Sequence, residues 1–247
     1  MHCPHEDKRT MAAVYKYMAA ERWDYVINLG DLLDFNCISR WTRDAPRLKL
    51  GETIQADYEY TNGQLDIICK AARNKNKDCK IILLEGNHDH RIEQYIDKVP
   101  ELQGIMEVER MLGLKSRGIK WVRCHHQGDS YKIGNAVFIH GLYTNKYHSF
   151  KTVSEFGCPV YYAHTHDIQQ YSLSLRGDDS TLTGKSLGCL CEYNQVYIKQ
   201  RPTRWQQAIT VFYFYPDGYF QEMTAAIFKH RFVGPTNGVL YDGRKLG

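Results

Sequence analysis

The sequence predicts a single α/β domain over residues 1–247, and three observations support this fold class. Short apolar runs alternate with stretches in which apolar residues recur at helical spacing. Hydrophobic residues make up 43% and charged residues 24% of the chain, which is typical of a globular protein with a sizeable core. No internal repeat, low-complexity tract or linker divides the chain. No apolar run approaches the roughly 18 residues of a membrane span, so an integral membrane protein is not expected.

Helices and strands alternate in the first half of the chain. Met11, Val14 and Met18 recur at helical spacing, and a long amphipathic stretch follows the first apolar strand. Proline is unfavourable inside a helix, so Pro100 is expected to break the third helical stretch. The expected helices span residues 7–21, 52–73 and 91–112, and the expected strands span residues 25–29 and 79–84.

The second half is richer in β-forming residues. Gly134-Asn135 and Pro216-Asp217-Gly218 are turn sequences that predict two hairpins. One further helix is expected at residues 150–156. The expected strands span residues 121–124, 130–133, 136–139, 160–163, 168–175, 208–215 and 219–225.

Charge and cysteine content narrow the class of protein. Lys and Arg number 32 against 28 Asp and Glu, and this net charge of +4 permits an anionic partner but is small for a dedicated nucleic-acid binder. The eight cysteines are scattered and no signal peptide precedes them, which predicts free thiols in a reducing cytoplasm. Cys189 and Cys191 form a lone Cys-x-Cys, and two ordinary strand cysteines are expected there rather than a zinc site.

Metal-binding side chains stand at the ends of the predicted strands. Asp31, Asn87, His140 and His164 each follow an apolar strand, and the carboxyl ends of parallel strands meet at one edge of a sheet. His166 lies two residues after His164, and extended backbone would point both imidazoles to the same side. Carboxylate, amide and imidazole groups suit a hard-to-borderline divalent ion. The sequence therefore predicts a metal site at this edge.

Each of these residues also has an ordinary explanation. Asp31 alone can be a turn residue or a helix N-cap, and His140 alone can be a hydrogen-bonded strand-end histidine. Four motifs in a fixed order favour the functional interpretation. They are Gly30-Asp31-Leu32-Leu33-Asp34, Gly86-Asn87-His88-Asp89, His140-Gly141 and Ala163-His164-Thr165-His166. In order and strand context, this set resembles the calcineurin-like metallophosphoesterase superfamily.

The resemblance implies a four-layer αββα sandwich with the metal site at the C-terminal ends of the strands. It implies two divalent cations, most readily Mn²⁺, with Fe, Zn, Ni or Mg as alternatives. Asp31 would bridge both ions. The remaining implied ligands are Asn87, His140 and His164 for one ion, and His2 and His166 for the other. His88 would act beside the phosphate, and Asp34 and Asp89 would support the site.

The chemistry of these roles follows from the residue types. Two cations about 3.5–4 Å apart can clamp a phosphoryl group and lower the pKa of a bridging water, giving a hydroxide near neutral pH. His88 is placed to donate a proton to the leaving oxygen. Arg91 is a candidate for bidentate contact with a phosphate oxygen, and a solvated first-turn arginine is the alternative.

The first motif of the superfamily, Asp-x-His, is matched only from its middle position. His2 aligns with the histidine, the aspartate would lie just before Met1, and the apolar strand that should precede it is missing. We expect that the given sequence begins after this strand and the aspartate of the motif. The alternative is that the second metal site lacks one ligand. Ala163 stands where the superfamily has glycine, and a small effect is expected.

His2-x-Pro4 near the start and Asp34-Phe35-x-x-x-Ser39-Arg40 after the first strand resemble phosphoesterases of phages and bacteria. The predicted reaction is hydrolysis of nucleic-acid or nucleotide phosphodiesters. Arg40, Trp41 and Arg43 lie in the loop after Asp31, where an aromatic ring among cations can stack a base and hold a backbone phosphate. A solvated loop is the alternative. A phosphomonoesterase acting on small metabolites or phosphoproteins remains open, as does a non-catalytic binding domain with one metal.

Overall fold

Helices and strands alternate in the computed structural model, which describes residues 1–40, 46–174, 181–194 and 203–244. The α-helices are α1 (Lys8–Ala20), α2 (Ile54–Ala72), α3 (Arg91–Ile96), α4 (Val108–Met111), α5 (Cys124–Gln127) and α6 (His148–Phe156). The strands are β1 (Tyr25–Asn28), β2 (Lys80–Leu84), β3 (Ile119–Val122), β4 (Tyr131–Ile133), β5 (Ala136–Phe138), β6 (Val160–Tyr162), β7 (Ile168–Ser174), β8 (Thr181–Leu187), β9 (Ala208–Phe214), β10 (Phe220–Ala226), β11 (Arg231–Val233) and β12 (Leu240–Asp242). Within these ranges, no helix combines the length and apolar character that crossing a bilayer requires.

The first sheet is parallel and has the strand order β1-β2-β3. Successive side chains of a strand point to opposite faces, so β2 contributes to two cores. Ile81 and Leu83 pack in the core that α1 and α2 cover, whereas Ile82 and Leu84 pack in the core shared with the second sheet. Burial on both faces explains why β2 is continuously apolar.

The second sheet is mixed and has the order β4-β5-β6-β8-β7. Its centre is the parallel set β5, β6 and β8, with β4 and β7 antiparallel at the edges. Helix α6 packs on β7 and β8, and a Cβ at Gly184 would collide with the backbone oxygen of Ser149. Strand β8 was not predicted, because Thr183-Gly184-Lys185-Ser186 has little β-propensity and depends on these neighbours.

The break predicted at Pro100 is confirmed, because α3 ends at Ile96 and Pro100 begins a short 3₁₀ helix before α4. Another predicted element differs in the structure. The strand predicted at residues 121–124 ends at Val122, and Cys124 begins α5. The cause is not local, because the distant carboxylate of Glu85 accepts a hydrogen bond from the backbone N–H of His126 and so satisfies the start of α5.

A long apolar cleft lies between β1 and β9. Among the strands of the described ranges, β1 pairs only with β2 and β9 pairs only with β10. The cleft has a volume of about 610 Å³, and Val26, Phe138 and Val211 are among its lining residues. It also reaches His2 and Asp31. The cleft therefore connects the edge of the first sheet with the predicted metal site.

Asp57 on α2 gives a testable pH dependence of stability. Burial, together with the negative charges of Asp34 and Glu52, raises the pKa of Asp57 to about 7. The folded state thus favours the protonated acid, and stability is lost as the pH rises from about 4 to about 7. We expect Asp57→Asn to raise the Tm by several degrees at pH 8 and to leave it nearly unchanged at pH 4. Thermal unfolding at both pH values checks this, with the exposed Glu59→Gln on the same helix as control; equal shifts at both pH values would contradict it.

Candidate metal centre

The four predicted loops meet at the carboxyl ends of β1, β2, β5 and β6. Gly30 and Gly86 allow this approach, because a Cβ at Gly86 would overlap the carboxylate of Asp31. A Cβ at Gly30, whose φ is +99°, would overlap the ring of His140. The glycines of the first two motifs are therefore required by the close packing of the site.

Asp31 lies between two sets of imidazoles. It is 3% exposed, and its Oδ2 lies 3.4 Å from Nε2 of His140 and 3.6 Å from Nε2 of His2. Its Oδ1 accepts a hydrogen bond of 2.8 Å from the backbone N–H of His88. Burial opposes its ionisation, but His140 and His88 outweigh burial and hold the pKa of Asp31 well below its usual value. A buried carboxylate in this position can bridge two cations.

The first donor set comprises Asp31, His140 and His164, whose candidate ligand atoms all lie within 4.8 Å of one another. Nδ1 of His140 lies 2.7 Å from the backbone oxygen of Leu29, so this nitrogen carries the proton and Nε2 is left as a donor to a cation. The amide oxygen of Asn87 lies 3.0 Å from that Nε2. Nδ1 of His164 is buried and has no hydrogen-bond partner in the part of the chain that the structure describes, as expected for a nitrogen that binds a metal.

The second donor set is built around His2 and His166. Nδ1 of His2 lies 3.0 Å from Oδ1 of Asp34, and its Nε2 lies 3.0 Å from Nε2 of His166. Burial and the neighbouring His88 lower the pKa of His2 well below its usual value, which favours the neutral, metal-binding imidazole. Sγ of Cys191 lies 4.0 Å from Nδ1 of His166, and candidate ligand atoms of Cys191, His2 and His166 all lie within 4.8 Å of one another. Both donor sets thus fit a divalent cation.

His88, Asp34 and Arg91 form a hydrogen-bonded chain at the rim of the centre. Nη2 of Arg91 donates to Nε2 of His88 over 3.1 Å, so Nδ1–H of His88 donates to Oδ1 of Asp34 over 2.6 Å. Nη1 of Arg91 also donates to the backbone oxygen of Asp34 over 2.6 Å. The side chain of Arg91 is only 14% exposed, so the alternative of a solvated first-turn arginine is wrong.

The backbone at four candidate ligands is left-handed. The φ angles are 59° at His2, 51° at Asp31, 63° at His164 and 61° at His166. Such a conformation costs a non-glycine residue on the order of 1 kcal/mol or more and is typical of functional sites. The prediction that His164 and His166 lie on extended backbone and point to one side is therefore wrong. In agreement with this, the two residues belong to different donor sets.

A buried polar chain that the sequence did not reveal supports the turn containing His164 and His166. Nδ1 of His148 lies 2.6 Å from the hydroxyl of Tyr162, and its Nε2 lies 3.1 Å from Oδ2 of Asp167. The hydroxyl of Thr165 donates to Oδ1 of Asp167 over 2.7 Å. His148 comes from α6, outside every motif, so only the carboxylate directly after His166 hinted at such support.

Asp89 joins the loops after β1 and β2. Its side chain is fully buried and accepts backbone hydrogen bonds from Leu33 over 2.8 Å and from Gly86 over 2.9 Å. Burial and the charge of Asp31 raise the pKa of Asp89 to about 6. These contacts agree with the supporting role implied for Asp89.

The predicted substrate loop is described only in part. Arg40 is exposed at the end of the first described range. Trp41 and Arg43 lie outside the described residues. Their roles in substrate binding therefore stay predictions.

Comparison with known proteins agrees with this geometry. A family model described as calcineurin-like phosphoesterase matches residues 1–198, a range that contains every candidate metal ligand. The chain is 23% identical over 227 residues to the Gene 54 protein of Mycobacterium phage L5, with 84% of each chain covered. It is 24% identical over 222 residues to the Gene 54 protein of Mycobacterium phage D29, with 82% of each chain covered. No solved structure was found to match.

Proposed function

The chain belongs to the calcineurin-like phosphoesterase family of metal-dependent phosphoester hydrolases, and we propose that it hydrolyses phosphodiesters of nucleic acids or nucleotides. The observation that carries the proposal is the position of Asp31, whose Oδ2 lies within 3.6 Å of imidazole nitrogens from both donor sets. Such an arrangement suits two neighbouring cations that share one carboxylate. The basic, aromatic segment with Arg40, Trp41 and Arg43 supports a diester with a nucleobase.

The two donor sets divide the ligands between two sites. Asp31, Asn87, His140 and His164 would hold one cation, and Asp31, His2 and His166 the other. Bound divalent ions, for which Mn²⁺ is the first choice, supply Lewis acidity and a hydroxide nucleophile near neutral pH. Asn87 contributes a neutral oxygen, which limits the negative charge that would weaken the Lewis acidity of the cations.

The protein's own groups position and protonate the substrate. His88 stands at the rim with its Nδ1–H held by Asp34, and to protonate a leaving oxygen its ring would need a second proton on Nε2, the nitrogen that now accepts a hydrogen bond from Arg91. Arg91, now hydrogen-bonded to that Nε2, can turn its guanidinium to a phosphate oxygen when substrate enters. Asp34 keeps both His2 and His88 in their tautomers, because its Oδ1 contacts Nδ1 of each ring.

We also propose that residues 1–247 belong to one four-layer αββα sandwich whose first sheet becomes continuous when an extended strand occupies the cleft. Residues 1–3 already run parallel to residues 31–33, with the backbone N–H of Cys3 donating to Leu32 over 2.8 Å. The cleft continues this direction along β1. An apolar strand parallel to β1 that ends in a carboxylate would complete the ligands around His2 and His166.

Hydrolysis of bis-p-nitrophenyl phosphate tests the activity. We expect the Mn²⁺-loaded protein to hydrolyse this diester and to act more slowly on p-nitrophenyl phosphate, because the segment with Arg40, Trp41 and Arg43 is proposed to hold the second ester group of a diester. Release of p-nitrophenol measures both rates, and the chelator-treated protein is the control. A faster rate on the monoester would favour a phosphomonoesterase, and no turnover of either compound would contradict the proposal.

A one-metal binding domain is the second candidate, and the unequal donor sets favour it. The set around His140 has four oxygen or nitrogen donors, whereas the set around His2 has two imidazoles and a shared carboxylate. Elemental analysis of the purified protein distinguishes the candidates, because one ion per chain favours the binding domain and two favour the enzyme.

All eight cysteines are free thiols, which supports the proposal of a reducing cytoplasmic location.

A further inference from the structure

Three histidines gather beside the metal centre without belonging to either donor set. His90 follows the second motif, and His125 and His126 belong to α5. The ring centre of His90 lies 5.4 Å from that of His125 and 4.9 Å from that of His126. Within the described residues, the ring nitrogens of His125 and His126 form no hydrogen bond.

A buried carboxylate orients the central histidine. Oε1 of Glu85 lies 3.3 Å from Nδ1 of His90, and Glu85 is 2% exposed. Oε2 of Glu85 also accepts a hydrogen bond of 2.8 Å from the backbone N–H of His126, which fixes the carboxylate in place. The carboxylate holds the proton on Nδ1 of His90, so Nε2 is free to act as a donor. This carboxylate–histidine pair is the usual support of a metal-binding imidazole.

The distances from the ring centre of His90 to those of His125 and His126 match a shared cation, but the nitrogens of the three rings do not all lie within 4.8 Å of one another, so His125 and His126 must turn to bind it. With a Zn–N distance of about 2.1 Å and a ring centre about 1.1 Å farther out, two imidazoles of a tetrahedral site have centres about 5 Å apart. The side chains of His125 and His126 are exposed, so their rings can turn their nitrogens toward Nε2 of His90.

The surrounding charges also favour a cation. Glu93 lies one turn along α3 from His90, and burial together with the charges of Glu85 and Glu107 raises its pKa, although Arg123 and His90 oppose this. Burial and the neighbouring His90 and His140 lower the pKa of His125, which favours its neutral, ligand form. A bound cation would relieve the repulsion among the carboxylates.

We propose that His90, His125 and His126 form a third metal site for a borderline divalent cation of the Zn²⁺ class, with Glu85 as the group that orients His90. Imidazole donors select such ions over Mg²⁺ or Ca²⁺. The ion would link α5 to the loop after β2. Both segments touch the main centre, because Sγ of Cys124 accepts a hydrogen bond of 3.0 Å from the backbone N–H of His140.

Zinc stoichiometry tests this site independently of catalysis. The chelator-treated full chain is titrated with Zn²⁺ alone, desalted and counted by elemental analysis, beside the double variant His125→Gln/His126→Gln. We expect the double variant to retain one Zn²⁺ fewer per chain, and His230→Gln, which removes a histidine elsewhere, to match the wild type. Equal stoichiometry in the double variant and the wild type would overturn the proposal.

Two further measurements separate this site from the proposed catalytic centre. The same comparison in an Asp31→Ala background keeps the expected difference of one Zn²⁺ even if the main centre binds no metal. If the double variant fails to fold, His90→Gln provides the same readout. Co²⁺ added in place of Zn²⁺ should give the visible absorption of a tetrahedral site in the wild type, and an unchanged spectrum in the variants would also count against the site.

Discussion

Replacing Asp31 by alanine is expected to lower the turnover of bis-p-nitrophenyl phosphate by about three orders of magnitude, or about 4 kcal/mol of transition-state stabilisation. The reason is geometric, because Oδ2 of Asp31 is the atom that faces both His2 and His140. Without this carboxylate, neither donor set keeps its anionic ligand, and metal affinity falls together with activity. Initial rates and bound metal measured on the same preparations check both effects.

Asp31→Asn distinguishes a loss of activity caused by the missing metal ligand from a loss of activity caused by reduced folding stability. The amide oxygen can still accept the hydrogen bond from the backbone N–H of His88, and the buried negative charge is removed. We therefore expect the metal-free Asn variant to unfold within a few degrees of the wild type while its activity stays near that of the alanine variant. Asp66→Asn on the exposed face of α2 is the matched control. Near-normal activity of Asp31→Asn would mean that Asp31 does not bridge the cations.

The candidate ligands were predictable because each follows a strand in the sequence. Asp31, Asn87, His140 and His164 lie at the ends of β1, β2, β5 and β6, and parallel strands bring their carboxyl ends together. This argument uses only local pattern and sheet geometry. It therefore placed these side chains at the carboxyl ends of their strands, but it expected one sheet, whereas β1 and β2 belong to the first sheet and β5 and β6 to the second. It also gave no information on the directions of the side chains.

The supporting residues were not predictable in the same way. His148 reaches Asp167 from another helix, and Glu85 determines the start of α5 through a contact with residue 126. The left-handed backbone of His164 and His166 is also opposed by their local preference and persists only because the surrounding structure fixes it. Tertiary contacts of this kind leave no periodic signal in the sequence.

The cleft links the stability of the fold to the metal centre. Within the described ranges, β1 and β9 each have an edge that pairs with no other strand, and residues of both strands line the cleft together with apolar side chains of α1. Unpaired strand edges and exposed apolar surface both lower the stability of a sheet protein. At the other end of the cleft, the donor set around His2 has fewer oxygen ligands than the set around His140. One additional strand with a terminal carboxylate would cover the apolar cleft and would add an oxygen ligand to the donor set around His2.

Fusing the strand Lys-Val-Ile-Val-Leu-Ile-Ser-Asp directly before Met1 is therefore expected to raise the Tm by about 5 °C or more. Each large aliphatic side chain buried in the cleft contributes about 1.5–3 kcal/mol, which is partly offset by the entropy of ordering the segment. The Mn²⁺ ion proposed at the donor set around His2 should bind more tightly, because it gains a carboxylate ligand. Thermal unfolding and Mn²⁺ titration measure the two effects separately.

Two matched fusions test whether the rise in Tm comes from strand pairing and whether the change in Mn²⁺ binding comes from the terminal carboxylate. With proline at two central positions, the segment cannot pair with β1, so neither the Tm nor the Mn²⁺ affinity should rise. With the final Asp replaced by Asn, the Tm should still rise because the apolar strand still fills the cleft, whereas the second Mn²⁺ should bind no more tightly than in the unfused chain. If the proline fusion stabilises the protein as much as the intact strand does, the cleft does not accept a strand, and the unequal donor sets need another explanation.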